Sequence, residues 1–374
     1  MELTEGEYAV AGLDGVRTPA LLIYADRVDR NIAATLRLLG GGGPDRWRPH
    51  LKTAKLGWTM ERLRAAGVTH AKCATALELD AACTAGFEDV LLAYPAVGPA
   101  VELTRAIAEE HPHIRVSALV EDAAMVEPWL GSKVGLFIDL NSGMNRTGAV
   151  PDPEAVLAIA KHIEGLGLEW RGLHYYEGQA SGAAVPAGYA DLLQLANELR
   201  LQGMAVPEIV TAGTPAFPAA LGYDGLSNAG FVHRLSPGTV VYCDVPSLEL
   251  LPADAGYSAA VLVLTRVVSH PSANRITCDA GHKTVSADAG DPTCAVLGHL
   301  DWTPRHPSEE HLPIELPPNA APPDRGTPLW LVPRHVCPTV NNFDEAVLVS
   351  GGAIIGVERV TARGRHPPLG SGGT

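Results

Sequence analysis

The sequence predicts an α/β protein, a TIM-like (β/α)8 barrel with a C-terminal β-rich domain, and three observations carry that prediction. From about Thr18 to Asp244, short strand-like runs alternate with helical stretches, the pattern that builds a parallel sheet from βα units. No GxGxxG turn follows the first strand, so about eight such units favour a closed barrel over a doubly wound open sheet, which stands as the alternative. After Asp244 the long amphipathic helices stop and strand-like runs take over.

Taken in order, ALLIYA (20–25) reads as a strand and DRVDRNIAATLRLLG as the helix after it, with an aspartate at a plausible N-cap and glycines beyond the last apolar turn. The unit recurs as WRPHLK with LGWTMERLRAAG, as THAKCA with ALELDAACTAG, and as DVLLAY with PAVELTRAIAEE and its intervening glycine. IRVSALV, KVGLFIDL, LEWRGLHYY with GYADLLQLANELRLQG, and EIVTAGT continue the series. In the second region SAAVLVLTRVVSH, RITCDAG, PLWLVPRH and EAVLVSGGAIIGVERV read as strands. The proline-dense stretch between Trp302 and Pro328 cannot continue a helix or a central strand and is expected to be an ordered surface loop. The expected division is a barrel over 18–244, a β-rich domain over 245–361 joined by residues 1–17, and a flexible tail over 362–374.

The composition bounds the function. Apolar residues at 46% against 19% charged describe a packed globular body. A net charge of -14 without a basic run repels phosphate backbones, so nucleic acid and anionic membranes are excluded as partners and a small molecule is the expected one. An acidic N-terminus and the lack of a long apolar run point to a cytoplasmic protein without a membrane span. Six scattered cysteines make no disulfide framework.

Several positions can carry chemistry. Lys52, in RPHLKTAKLG, falls at the end of a predicted strand, where barrel active sites are assembled. A lysine there becomes a nucleophile toward carbonyls when burial or a nearby cation such as Lys55 disfavours its charged form, and a solvated lysine is the alternative. His50, two residues earlier, shares its face and is either a packing group for a ring or an ordinary core histidine. In TAGTPAF, Thr211, Gly213 and Thr214 follow a strand and suit a phosphate cradle, or a plain tight turn. Arg146 follows a strand and offers a planar fork of donors, while Tyr176 falls at a strand end where it can stack on a ring. A surface ion pair and simple packing are the competing accounts. In PRHVCPT, His335 and Cys337 lie two apart in a segment expected to be extended, so both point toward one ion. Two ligands leave positions open for water or a substrate hydroxyl, and a thiolate favours zinc over manganese or magnesium.

In this order the segments resemble the D-threonine aldolase and D-serine dehydratase family, with its alanine-racemase type of fold. PHLKTAK is similar to that family's PHxKTHK, GMNRTG to its glycine/arginine segment, TAGTP to its phosphate loop and HVCPTVN to its metal motif; SPGTVVYCD, DAGHK and SEEH are further landmarks. The resemblance implies a lyase for β-hydroxy-D-amino acids that uses pyridoxal 5'-phosphate (PLP) and a divalent metal. It places PLP on Lys52, Arg146 and Tyr176 near the ring, the phosphate at 211–214, the metal at His335 and Cys337, and the chain in a head-to-tail homodimer. Ala54 departs from the usual histidine. His-x-Cys resembles the dehydratases, whereas the following TVNNFD resembles the aldolases, which tips the expectation to aldol cleavage with dehydration as the alternative. An amino-acid racemase and a non-catalytic PLP-binding protein are the remaining rivals.

Overall fold

The computed structural model describes residues 5–178, 180, 183–227 and 229–368. The chain divides into two compact units: Met1–Thr35, Thr53–Thr59 and Thr239–Arg363 form one, and Leu36–Lys52, Met60–Gly238 and Gly364–Thr374 the other. The first strand, β1 (Ala20–Tyr24), forms where the apolar run predicts, yet it belongs to the strand-rich unit. ALLIY has no polar residue to mark a wet face. A run of that kind suits the centre of a mixed sheet as well as a barrel stave.

In the barrel unit seven parallel strands pair in chain order: β2 (His70–Cys73), β3 (Asp89–Pro95), β4 (Arg115–Val120), β5 (Gly135–Leu140), β6 (Trp170–Tyr175), β7 (Glu208–Thr211) and β8 (Val232–Leu235). The segment 47–51 closes the ring. Trp47 bridges Leu235 of β8 and His50 bridges Lys72 of β2, both in parallel. Pro49 has no N–H to give, so this stave pairs through isolated bridges, and its carbonyl accepts from Lys72 N–H at 2.9 Å. Helix α1 (Ala25–Leu39) leads into this segment and α2 (Gly57–Ala65) follows it; α3 (Ala76–Thr84), α4 (Pro99–Glu110), α5 (Pro153–Gly165) and α6 (Ala184–Leu201) connect later strands. Local chemistry sets their starts: the Thr75 hydroxyl accepts from Glu78 N–H, Asp152 accepts from Ala155 N–H, and Pro99 sits in the first turn of α4.

The barrel interior is layered. At the start of the strands Arg48, Asp89, Arg171 and Glu208 form a buried charged floor. Arg48 reaches Asp89 at 2.8 Å and Glu208 at 2.9 Å, Arg171 reaches Asp89 at 2.6 Å, and Arg234 also binds Glu208. Above it lies an apolar layer of Leu91, Leu119, Phe137 and Val210. The Arg48 and Arg171 guanidinium groups sit 5.9 and 5.1 Å from the Phe137 ring centroid and join the two layers. A third, polar layer follows at the carboxyl ends of the strands, where the candidate site begins.

In the other unit β9 (Val261–Ser272) is the spine. It pairs with β1, with β10 (Arg275–Cys278) and with β14 (Pro328–Pro333), while β1 runs parallel to β15 (Glu345–Ser350), which pairs with β16 (Ala353–Arg359). β11 (Cys294–Val296) adds to β14. Tyr8, Leu22, Tyr24, Leu262, Leu264, Trp330 and Val332 lie in its core. The proline-dense stretch is more ordered than a surface loop: it contains β12 (Thr303–Pro304) and β13 (Leu312–Glu315), which pair with each other, and β13 pairs with β10. Leu312, Ile314 and Leu316 alternate inward there, a period of two that the prolines obscure in the sequence. DAGHK and SEEH meet, since Gly281 has no room for a Cβ against the Glu309 carbonyl and Lys283 pairs with Glu309 at 3.0 Å.

All six cysteines are buried and none forms a disulfide. Among the described residues no helix is long and apolar enough to cross a membrane. Of the tail expected to be flexible, Ala362 is anchored by hydrogen bonds with Lys55 at both its N–H and its carbonyl; residues 369–374 lie outside the described residues.

Candidate active site

Lys52 is half-buried and follows directly on the closing stave, and its backbone N–H lies 3.4 Å from His50 Nδ1. The Lys55 amine donates to the Ala362 carbonyl at 3.1 Å. A second cation, Lys72, is buried on β2 and interacts with Lys52. Burial and the neighbouring Lys52 amine push Lys72 down to about 7, against the pull of Glu177 and Asp139. Its Nζ stands 3.3 Å from His174 Nε2, and His174 Nδ1 stands 2.7 Å from Asp139. Burial and Lys72 hold His174 below its ordinary value; Asp139 opposes them. Burial works against the Asp139 carboxylate, but His174, Thr147 and Lys72 outweigh it and keep its pKa low.

Tyr176 forms one wall of this layer. The Arg146 guanidinium lies 5.0 Å and the Lys72 amine 5.8 Å from its ring centroid. The loop that carries Arg146 is tied down: Thr147 donates to Asp139 at 2.8 Å, Gly148 N–H to Glu121 at 2.6 Å, and Ser142 to the Tyr176 carbonyl at 2.5 Å. A Cβ on Gly213 would come within 2.7 Å of the Tyr176 ring, so glycine is required for the loop to approach it.

The turn after β7 holds Ala212 at a positive φ of 59°, a conformation that a side chain disfavours, and the Glu177 carboxylate fixes it by accepting Ala212 N–H at 2.9 and 3.0 Å. Burial pushes Glu177 up; the hydrogen bonds from Tyr189 and Ala212 pull it down. The Thr211 hydroxyl is engaged with His233 Nε2 at 2.8 Å. Two other hydroxyls, those of Thr214 after β7 and Ser236 after β8, are buried and have no hydrogen-bond partner among the described residues. Gly238 brings the backbone against His50, with no room for a Cβ beside the His50 carbonyl.

In the strand-rich unit the metal motif is not extended. His335 stands at the N-terminal boundary of a short helix, Val336–Asn341, without a capping hydrogen bond from its side chain, and Cys337 lies in the first turn, because the chain leaves β14 and begins to coil at His335. The two side chains still meet. Burial works against the charged form of His335, but Cys337 and Asp288 outweigh it and hold its pKa up to about 9. Asp288 accepts from or shares a proton with His335 Nδ1 at 2.7 Å and is itself held by Ser286 at 2.7 Å. Cys337 Sγ lies 2.9 Å from the Thr53 hydroxyl and 3.7 Å from that of Thr239. Asp244, whose pKa burial raises, accepts Val336 N–H at 3.2 Å and so seats the helix that carries the thiol. Ala54, where the resemblance calls for histidine, is fully buried.

Sequence reasoning missed Lys72, Asp139, His174, Ser236 and Asp288. A lysine, an aspartate and a histidine inside otherwise buried strands were the available signal for the first three.

The alanine racemase N-terminal domain family profile matches residues 23–246, more than half of the chain, and the putative serine dehydratase domain profile matches residues 260–349. A D-threonine aldolase of Arthrobacter sp. is 28% identical, with 93% of each chain covered. A 3-hydroxy-D-aspartate aldolase of Paracoccus denitrificans is also 28% identical, over 96% of this chain and 95% of that one. The crystal structure of D-threonine aldolase from Filomicrobium marinum matches with a TM-score of 0.84 at 26% identity, over 95% of this chain and 98% of that one. The chain belongs to the alanine racemase N-terminal domain family and is similar along nearly its whole length to D-threonine and 3-hydroxy-D-aspartate aldolases of that fold.

Proposed function

We propose that the protein is a PLP- and divalent-metal-dependent lyase for β-hydroxy-D-amino acids, of the D-threonine aldolase type, which cleaves the substrate to glycine and an aldehyde. The observation that carries the cofactor half is the pair of buried, partnerless hydroxyls on Thr214 and Ser236 in the barrel unit that also presents half-buried Lys52. Buried hydroxyls without partners are costly, and an anionic phosphate satisfies them. The group fits. Lys52 would hold it covalently, Thr214 and Ser236 would donate to its phosphate with the loop of Thr211 and Gly213, and His50, Tyr176 and Arg146 would lie beside its ring.

When bound, PLP supplies a sink for negative charge developing at the substrate α-carbon, and the metal supplies a Lewis acid for the β-oxygen. The chain's own residues do the rest. Arg146, exposed and fixed by its tethered loop, offers a fork for a carboxylate. His335 and Cys337 hold the metal, with Asp288 fixing the imidazole through Nδ1 and leaving Nε2 for coordination. The thiolate makes zinc the ion we assign, ahead of manganese and magnesium. A homodimer in the cytoplasm completes the reading.

Dehydration is the second reading, favoured by Cys337 as ligand and by the serine dehydratase profile over 260–349. One incubation separates them. Holoenzyme supplied with zinc or manganese and D-threonine yields glycine and acetaldehyde for the aldolase, or 2-oxobutyrate and ammonia for the dehydratase. Interconversion of D- and L-forms without either product set would refute both. Borohydride is expected to fix the cofactor on the peptide containing Lys52, and Lys52→Ala to abolish that adduct; an adduct on Lys55 would overturn the assignment.

A further inference from the structure

The polar layer of the barrel contains a chain of three side chains that the lyase reading does not use. Lys72 Nζ, His174 Nε2, His174 Nδ1 and Asp139 Oδ1 are linked at 3.3 and 2.7 Å, and all three residues are at least nine-tenths buried. A lysine serving only as a structural cation inside a barrel takes a carboxylate partner, as Arg48 and Arg171 do in the floor. Lys72 does not. The hydrogen-bond partner of its amine among the described residues is a neutral imidazole, and the Asp139 carboxylate is spent on His174 and Thr147. The other charged or titratable groups that face the chain are Lys52, Glu177, Arg48 and Arg146.

We propose that Lys72, His174 and Asp139 form a proton-exchanging unit beneath the site, with Lys72 as a positioning residue that sets the charge met by Lys52. The proposal rests on the reading of Lys52 as the cofactor lysine. When the unit takes a proton from water, the proton binds the Lys72 lone pair, the ammonium donates to His174 Nε2, and His174 Nδ1–H donates to Asp139. The unit is then neutral. When the proton leaves, Lys72 is an amine, the same hydrogen bonds persist, and the unit carries the single negative charge of Asp139. Burial and Lys52 together bring Lys72 to about 7, so the unit changes charge near neutral pH. Tyr176, with Lys72 at 5.8 Å on its ring and Arg146 at 5.0 Å, experiences the same change. A purely structural lysine would stay charged and give no step.

Two measurements test this, one without cofactor. In the apoprotein labelled at histidine Cε1, the His174 resonance is expected to follow a titration with a midpoint of about 7, and the step is expected to vanish in Lys72→Met and in Lys72→Arg, whose guanidinium does not titrate. Arginine keeps the cation, so it carries the test should the methionine variant fail to fold. A step that survives in either folded variant, or that is absent from the wild type, overturns the proposal. In the holoenzyme the visible absorbance is expected to show a pH-dependent inflection that is lost in both variants. An unchanged pH profile would likewise overturn it. Failure of borohydride to label Lys52 in the wild type would instead remove the cofactor reading, and the apoprotein titration would still decide whether the three residues exchange a proton.

Discussion

Replacing Asp89 with asparagine keeps the shape of the barrel floor and removes one of its two central anions. Asp89 accepts from Arg48 at 2.8 Å and from Arg171 at 2.6 Å, and both guanidinium groups are essentially inaccessible to water. Glu208 remains for Arg48 at 2.9 Å but lies 3.6 Å from Arg171, so Arg171 bears most of the loss. Two hydrogen bonds to charged groups, at roughly 1.5–3 kcal/mol each, give a cost of about 3–6 kcal/mol. That agrees with the roughly 3–5 kcal/mol typical of an unpaired buried charge. For a unit of about 200 residues the melting temperature is expected to fall by about 6–24 °C, read by far-UV circular dichroism and by urea unfolding. The pH dependence has a definite sign. Burial opposes ionisation of Asp89, but Arg48 and Arg171 outweigh it and hold its carboxyl well below the usual range. Its contribution is therefore complete above the unfolded value of about 3.9 and is lost as pH falls through the lower folded value, so the gap between wild type and Asp89→Asn closes in strong acid. Adding Arg171→Met is expected to recover part of the loss, because it removes the charge left unpaired. A cost below about 1 kcal/mol at neutral pH, or a gap that does not close in acid, would refute the reasoning.

Two further outcomes follow from the candidate site. Thr214→Val and Ser236→Ala are expected to leave apoprotein stability within about 1 kcal/mol of wild type, since each hydroxyl lacks a partner there, while weakening PLP binding by roughly tenfold or more in a fluorescence titration; unchanged affinity would dismiss the phosphate role. His335→Ala is expected to lose the metal and keep PLP, and Asp288→Asn to weaken metal binding by about 10–100-fold, both measured by metal analysis after dialysis.

Much of the fold was legible because barrel strands and connecting helices leave strong periodic signals. The placement of β1 was not, since five consecutive apolar residues specify burial without naming a partner. The strands β12 and β13 were hidden by prolines that edge-like pairing tolerates. Lys52, Tyr176 and Arg146 were visible as strand-end residues, and the motif order made them a set. Lys72 and His174 were harder to see. A polar residue near the carboxyl end of a buried strand gains meaning only when the ring closes and brings β2, β5 and β6 around one interior. Asp288 is distant in sequence from His335, and no spacing rule links them.

The charged floor also decides how the barrel trades with its surroundings. Arg48 and Arg171 interlock with Asp89 and Glu208 and cap the Phe137 layer, so the tube is plugged at one end by groups that cannot part without exposing bare charge. It behaves as a blind well. A small molecule or a proton that reaches the polar layer therefore does not come through the floor.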